Sequence, residues 1–307
     1  MLATHTWTYW HPLAIPKATV RRIQPGRENT LPLYITDSNY LQDPDERLLS
    51  YLRASRANRI ALSEHVLIEM HKTEPQITVT RSLAQARQYA EQVVLLRGSP
   101  HIYGKALRTG TQVRAGMIDT KQSRLFGKWY DDVLVGSPEI MTHLAEMQVQ
   151  AVASIADIGS TIDELLPTFQ LTRKRFTKEE LAEIRSRNLK SRSTQDKLIR
   201  VMFDMSNALF NRCNIPEQNR PHLTQDGPHY YLFRYAMCMT MLFTRWVYFG
   251  NLSPDRDKQI NHVIDMHLCA EATFFDGILS KDKGVDDVHR QSRTLLRLMR
   301  GYISTRG

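Results

Sequence analysis

Apolar and polar positions follow two periods along this chain, and the changes of period mark its elements. In LPLYITDSN (residues 31–39) large apolar residues run straight into Asp37 and a polar turn, the pattern of a short buried strand that ends in an acid. Residues 44–57 predict a helix with Pro44 near its start and Leu48, Leu49 and Leu52 on its apolar face. RIALS (59–63) predicts a second short strand, with Ser63 placed to cap a helix that carries Val66, Leu67 and Met70. ITVT (77–80) reads as an extended piece or a helix lead-in. Leu83, Ala86, Ala90, Val93 and Val94 then predict an amphipathic helix over 82–97.

Beyond residue 97 the period is mostly helical. Gly98, Gly104, Gly110, Gly116 and Gly127 predict loops and short helices over 98–136. Helices are expected over 137–166, 177–213, 228–249 and 255–275; Ser137-Pro138-Glu139 and Thr177-Lys178-Glu179-Glu180 are start signals. GILS (277–280) predicts a last strand, KDKG a turn, and 285–303 a terminal helix. The first thirty residues are irregular, with Trp7, Tyr9 and Trp10 in a short strand or packing tail. Strands fall at the two ends, so the expected fold is an α/β core with a short, mainly parallel sheet. Residues 1–97 and 255–307 would supply it, and 98–254 form a mainly helical insertion.

Composition changes the picture in one respect. The 307 residues carry a net charge of +9, which favours a polyanionic partner, nucleic acid before an anionic membrane. The most apolar stretch, Tyr230–Phe249, is interrupted by Arg234 and Arg245, too often for a span of about 20 residues, and predicts a buried helix. Pro12, Pro16 and Pro25 break the first thirty residues, so no signal peptide is expected. Cys213, Cys238 and Cys269 form no CxxC pair and predict inert thiols in a reducing cytoplasm. No phosphate-cradling GxxxxGK[ST] is present.

The basic residues cluster. Residues 173–200 hold ten Lys or Arg against four acids, either a solvated helical face or a phosphate-tracking surface. Arg290, Arg293, Arg297 and Arg300 line one face of the terminal helix, with Leu295, Leu296, Leu298 and Met299 on the packing side. Arg124–Tyr130 (RLFGKWY) reads as core or as a base-stacking surface. His262 and His267 flank Asp265, in surface, core or phosphate-binding roles.

Four acids stand out by position. Asp37 ends the first strand, Glu69 lies on the helix after the second, Asp265 sits among Ile264, Met266 and Leu268, and Asp282 follows the last strand; Asp276 is a fifth. Each alone has an ordinary explanation as a cap, a turn or a solvated helix residue. Together they suggest more, because ligands in an open parallel sheet sit outside the carboxyl ends of the strands. Converging carboxylates repel unless a cation neutralises them, and oxygen ligands without a His/Cys set favour Mg²⁺ or Mn²⁺.

The runs YITDSN, IALSEHVLIEM and NHVIDMHLCAEATFFDGILSKDKG resemble a PIN-domain nuclease, over roughly the first hundred and last fifty residues. The resemblance implies a three-layer α/β fold and metal-dependent cleavage of RNA before DNA. Asp37, Glu69, Asp265 and Asp282 would match the acidic quartet, with Glu64 as a competitor of Glu69. Asp276 would be a further metal ligand, Asn39 the accompanying Asn and Ser280 the small hydroxyl near the metal. Asn39, Ser280, Lys281, Lys283, Arg290 and Arg293 are the substrate-binding candidates. By analogy such a nuclease is controlled by an inhibitory or activating protein partner, as in toxin or anti-phage systems, and a homo-oligomer is compatible. The alternative is a non-catalytic nucleic-acid-binding or regulatory subunit. The gap between Glu69 and Asp265 is much longer than the resemblance accounts for.

Overall fold

The computed structural model describes residues 31–99, 101–102, 116–250 and 255–299. The expected strand or tail at Trp7–Trp10, the loop glycines Gly104 and Gly110, and residues 300–303 of the terminal helix lie outside them.

The protein is mixed α/β, mostly helical, with one four-stranded parallel sheet among the described residues. The strands β1 (Leu33–Thr36), β2 (Arg59–Leu62), β3 (Val93–Leu95) and β4 (Gly277–Leu279) lie in the order β3-β2-β1-β4. In the register Ile35 faces Ala61, Ile60 faces Val93, and Thr36 faces Leu279. Leu33, Ile35, Ile60, Ala61, Leu62, Val93, Val94 and Leu95 are all buried, as a parallel sheet requires. The chain moves outward from β1 to β3 and returns on the other side of β1 as β4. The switch point therefore lies at the carboxyl ends of β1 and β4.

The helices are α1 (Ser38–Leu41), α2 (Arg47–Ala54), α3 (Glu64–His71), α4 (Pro75–Arg87), α5 (Thr120–Val135), α6 (Pro138–Arg173), α7 (Lys178–Ser186), α8 (Arg192–Arg212), α9 (Tyr231–Phe249), α10 (Arg256–Ala272) and α11 (Lys283–Leu298). Their ends follow local chemistry. Ser63 caps α3 by accepting from the His65 N–H, and Ser137 caps α6 by accepting from Ile140. Thr177 and Glu180 form the expected capping box of α7. Gly136 and Gly250 end α5 and α9 at φ 71° and 88°, where a Cβ would be strained.

Several elements differ from expectation. Residues 82–97 are not one helix: α4 begins earlier, with Pro75 in its first turn, and ends at Arg87, and a 3₁₀ turn leads into β3. Val93–Leu96 is an apolar run too short for periodicity to separate helix from strand, and the Leu62 carbonyl claims the Leu96 N–H at 2.9 Å. The stretch expected to hold loops and short helices contains the longer, 16-residue α5, capped by Asp119. The helix expected over 177–213 is broken into α7 and α8 by Arg187, which adopts φ 55°. On α11, Leu298 is exposed and Arg293 is buried, the reverse of the expected faces.

The middle of the chain shares its core with the ends. One continuous cluster of buried apolar residues runs from Leu33 and Val66 through Ile140, Phe169 and Phe243 to Leu268 and Val288. Arg256 on α10 reaches α6, donating to both carboxylate oxygens of Asp163 at 2.8 Å and to the Gly159 carbonyl. Phe126, Trp129 and Tyr130 are buried, so that stretch is core rather than a stacking surface. Among the described residues no helix is long and apolar enough to cross a membrane. Burial pushes the Cys238 thiol up to about 12 and Cys269 well up, so neither is a nucleophile at neutral pH.

Burial also keeps two histidines neutral. His267 is packed between the rings of His65 and Tyr235, and its pKa is held well below the usual value by burial and then by His65. This makes His267 a core residue rather than a phosphate ligand. His289, buried on α11, is lowered to about 4, mainly by burial and then by Arg293. The unfolded chain binds this proton near pH 6.5 and the folded chain only near 4. His289 therefore contributes fully to stability above about pH 6.5, and the contribution is lost as pH falls towards 4, by roughly 3 kcal/mol. In urea titrations, His289→Leu should lose less stability than the unaltered protein between pH 7 and pH 4.5. Equal losses would assign the acid sensitivity to other groups.

Candidate active site

The acids expected to act together come from four elements that meet at the switch point. Asp37 follows β1 directly, because the last residue of a buried strand delivers the next side chain to the strand's end. It is buried, and its backbone N–H donates to the Leu279 carbonyl at 3.0 Å, fastening the ends of β1 and β4. Ser280 follows β4. Its hydroxyl donates to Asp37 Oδ2 at 2.7 Å and accepts from the Asp282 N–H at 3.0 Å. Asp282 caps α11, accepting from the Gly284 N–H at 2.5 Å. Asn39 Oδ1 accepts from the Lys281 N–H at 3.0 Å, so Asn39 orients the loop that carries Ser280 and Asp282.

Glu69 enters through Ser38. The Ser38 hydroxyl lies 2.6 Å from Glu69 Oε2 and 3.3 Å from Asp37 Oδ1, within reach of both carboxylates. Glu64 is elsewhere: its Oε1 accepts from the Ser99 N–H at 2.6 Å. Of the two competing glutamates, Glu69 is therefore the one beside Asp37.

Asp265 completes the group from α10. Burial raises its pKa well above the carboxylate range, and the charges of Asp37, Asp282 and Glu69, in that order, raise it further; Arg245 opposes them. Glu69 is raised by burial and then by Asp37, against the Ser38 hydrogen bond. Four carboxylates from separate elements thus feel one another across partly buried space, an arrangement that attracts a proton or a cation. The donors are carboxylate and hydroxyl oxygens, which fit Mg²⁺ or Mn²⁺ rather than a sulfur- or imidazole-bound metal. Among the described residues no three His, Cys, Asp or Glu side chains are arranged to hold an ion as they stand.

Three candidates are placed away from this group. Asp276 precedes β4, so a whole strand, about 13 Å, separates it from Asp37. Its Oδ2 accepts from the Leu33 N–H at 2.8 Å and its own N–H donates to Leu33. It fastens the amino ends of β1 and β4 and is not a metal ligand beside Asp37. Arg293 is buried at that same end, donating to the Asp276 carbonyl at 2.7 Å, and is not positioned for substrate. The Lys281 ammonium is 2.8 Å from buried Asp43, which it holds below the usual carboxylate range, so this lysine is a structural ion-pair partner. Lys283 and Arg290 remain exposed on α11.

Four participants carry little or no signal in the sequence. Ser38 was marked only by being small and next to Asp37. Arg245 registered as an interruption of an apolar run, yet it opposes the charge of the acids. Glu271 and His65 gave no signal at all. Burial alone would lower the pKa of His65, but Glu271, Glu64 and Glu69 offset it and raise it above the usual value.

No protein family, no curated relative and no solved structure matches this chain.

Proposed function

We propose that this chain hydrolyses phosphodiester bonds in nucleic acid with Mg²⁺ or Mn²⁺, RNA being favoured over DNA by the PIN-like pattern of its acids. Residues 1–97 and 255–307 would supply the PIN-like core. The observation that carries this reading is the meeting of carboxylates at the switch point, where Asp265 is raised by burial and then by Asp37, Asp282 and Glu69, and Glu69 by burial and then by Asp37. Structural carboxylates are ordinarily paired with cations; a group of acids that repel one another is kept for a function.

Asp37, Asp265 and Asp282 would hold one or two ions, and Glu69 would complete the shell or orient water. A bound ion supplies charge stabilisation at the phosphate and acidifies the attacking water. Ser280 holds the Asp37 carboxylate by donating to Oδ2, while the Ser38 hydroxyl, which donates to Glu69 at 2.6 Å, lies against Asp37 Oδ1. The basic surface would bring the polyanion to the acids. Control by a protein partner, as in toxin or anti-phage systems, is carried over by analogy.

The test is direct. Purified chain is incubated with labelled single-stranded RNA and DNA, with Mn²⁺, Mg²⁺ or chelator. Cleavage that requires the metal is expected, on RNA first. Absence of cutting with either metal, in a preparation that binds the strand, would leave the non-catalytic binding subunit as the correct reading.

A further inference from the structure

We propose that the cleft between α7, α9 and α11 holds one phosphate and stacks one base of a single-stranded nucleic acid, beside the acidic group. The cleft has a volume of about 520 Å³. Arg187, Arg245, Lys283 and Arg290 line it, against two carboxylates, Asp286 and Asp287. Its position relative to the acids is fixed by the chain, since Lys283 and Gly284 directly follow Asp282. That adjacency rests on the phosphodiester reading of the acids; the binding site itself does not.

The cations are under-neutralised. Asp287 serves two of them, Arg290 in a close pair and Arg187 at 3.8 Å. Arg245 has no hydrogen-bond or ion-pair partner among the described residues. Its guanidinium lies over Gly284, where a Cβ would collide with it, so the glycine leaves room for the cation at the mouth of α11. A phosphate placed here meets the guanidinium of Arg245 and the ammonium of Lys283.

The cleft also contains an aromatic ring that the interior does not use. Phe249 is 63% exposed although it lines a charged cleft. It meets Tyr248 edge-on at 4.7 Å, and Arg187 covers the Tyr248 ring at 4.1 Å. An exposed ring bordered by arginines matches the two needs of a nucleotide, a face for the base and charge for the phosphate. A duplex keeps its base faces stacked internally and offers none to Phe249, so the site selects a single strand. Every base has a π-face, so it selects no sequence. An acidic peptide would satisfy the arginines and leave Phe249 uncovered.

Arg187 supplies an unusual control. It holds φ 55°, which glycine adopts freely, so Arg187→Gly removes the guanidinium while easing the backbone. Fluorescence anisotropy of the full chain in chelator, without cleavage, compares a labelled single-stranded RNA, its abasic counterpart, the matching duplex and a polyglutamate peptide. The single strand should bind best. Phe249→Ala should weaken it roughly 5- to 100-fold and leave the abasic strand unchanged. Arg187→Gly should weaken both strands, lower the slope of log affinity against log salt by roughly 0.7, and keep the melting temperature. Unchanged strand binding in both variants overturns the proposal, as does equal binding of the duplex or of polyglutamate. Metal-dependent cutting by the unaltered chain, together with unchanged binding in the variants, sinks the cleft alone. Binding lost in the variants, with no cutting by the unaltered chain, sinks the hydrolase reading and upholds the cleft.

Discussion

Replacing Asp265 by asparagine should raise the melting temperature of the metal-free protein while abolishing both its stabilisation by Mn²⁺ and its metal-dependent cleavage. The two effects have one cause. Asp265 is held on α10 where burial and three neighbouring carboxylates disfavour its charge. Asparagine keeps the shape and removes the repulsion, so the apo fold gains. It also removes a ligand, so Mn²⁺ at about 100 times its dissociation constant no longer adds its ~2.7 kcal/mol. Cleavage should fall by roughly 100-fold or more, the scale of removing one group that stabilises developing charge. The pH dependence follows the same sign. The folded pKa of Asp265 lies above the unfolded value, so its contribution to apo stability is present at low pH and is lost as pH rises through the folded pKa. Metal affinity runs the other way, because the proton must leave before the ion binds. Calorimetric melting with and without Mn²⁺ reads both. An Asp265→Asn protein that cuts normally, or still gains stability from Mn²⁺, would falsify the assignment. Asp37→Asn should lose cutting equally but gain less apo stability, because its carboxylate already accepts from the Ser280 hydroxyl.

Replacing Arg234 by methionine should destabilise the fold by about 3 kcal/mol, more than any surface substitution. Arg234 lies in the first turn of the apolar helix α9 and is fully buried. Its Nε donates to the Pro228 carbonyl at 2.7 Å and its Nη1 to the Thr273 carbonyl at 2.6 Å and hydroxyl at 3.2 Å. The guanidinium lies over the Phe274 ring at 3.7 Å. Methionine fills most of the volume, so the loss isolates the buried carbonyls left without donors, each costing about 1–3 kcal/mol. Lysine should not rescue it, lacking the fork and the flat face. Thr273 and Phe274 lead into β4 and so into Ser280. Metal-dependent stabilisation should therefore weaken in the variant as well. Urea denaturation measures the first effect; a change below about 0.5 kcal/mol would mean the helix tolerates the loss by rearranging.

Much of the site was legible before the fold. Asp37 and Asp282 are readable because a short apolar run ending in a polar turn places the next acid at a strand end. Glu69 and Asp265 lie on helices, where sequence gives a face but not a neighbour; their meeting with Asp37 required the order β3-β2-β1-β4. Asp276 shows the limit. It flanks the same strand as Ser280, and local sequence does not weigh one end of a strand against the other. Arg293 and Lys281 show another limit. A basic residue near the acids suggests phosphate binding, yet each is claimed by a partner far away in sequence, the Asp276 carbonyl and the Asp43 carboxylate. β3 was hidden because Val93–Leu95 is too short to carry a period.

By itself, then, the sequence determined the ends of β1, β2 and β4, the caps of α3, α6 and α7 and the types of donor available, since these depend on a few consecutive residues. It also determined that Tyr231–Phe249 stays in the protein, because two arginines interrupt it. Only the tertiary structure decided which acids face one another, which arginines are spent on buried carbonyls, and that Arg187 and Phe249 of the helical middle open beside Asp282. Those outcomes depend on contacts between residues tens to hundreds of positions apart. Such contacts are fixed by the burial of one shared core, not by any local preference.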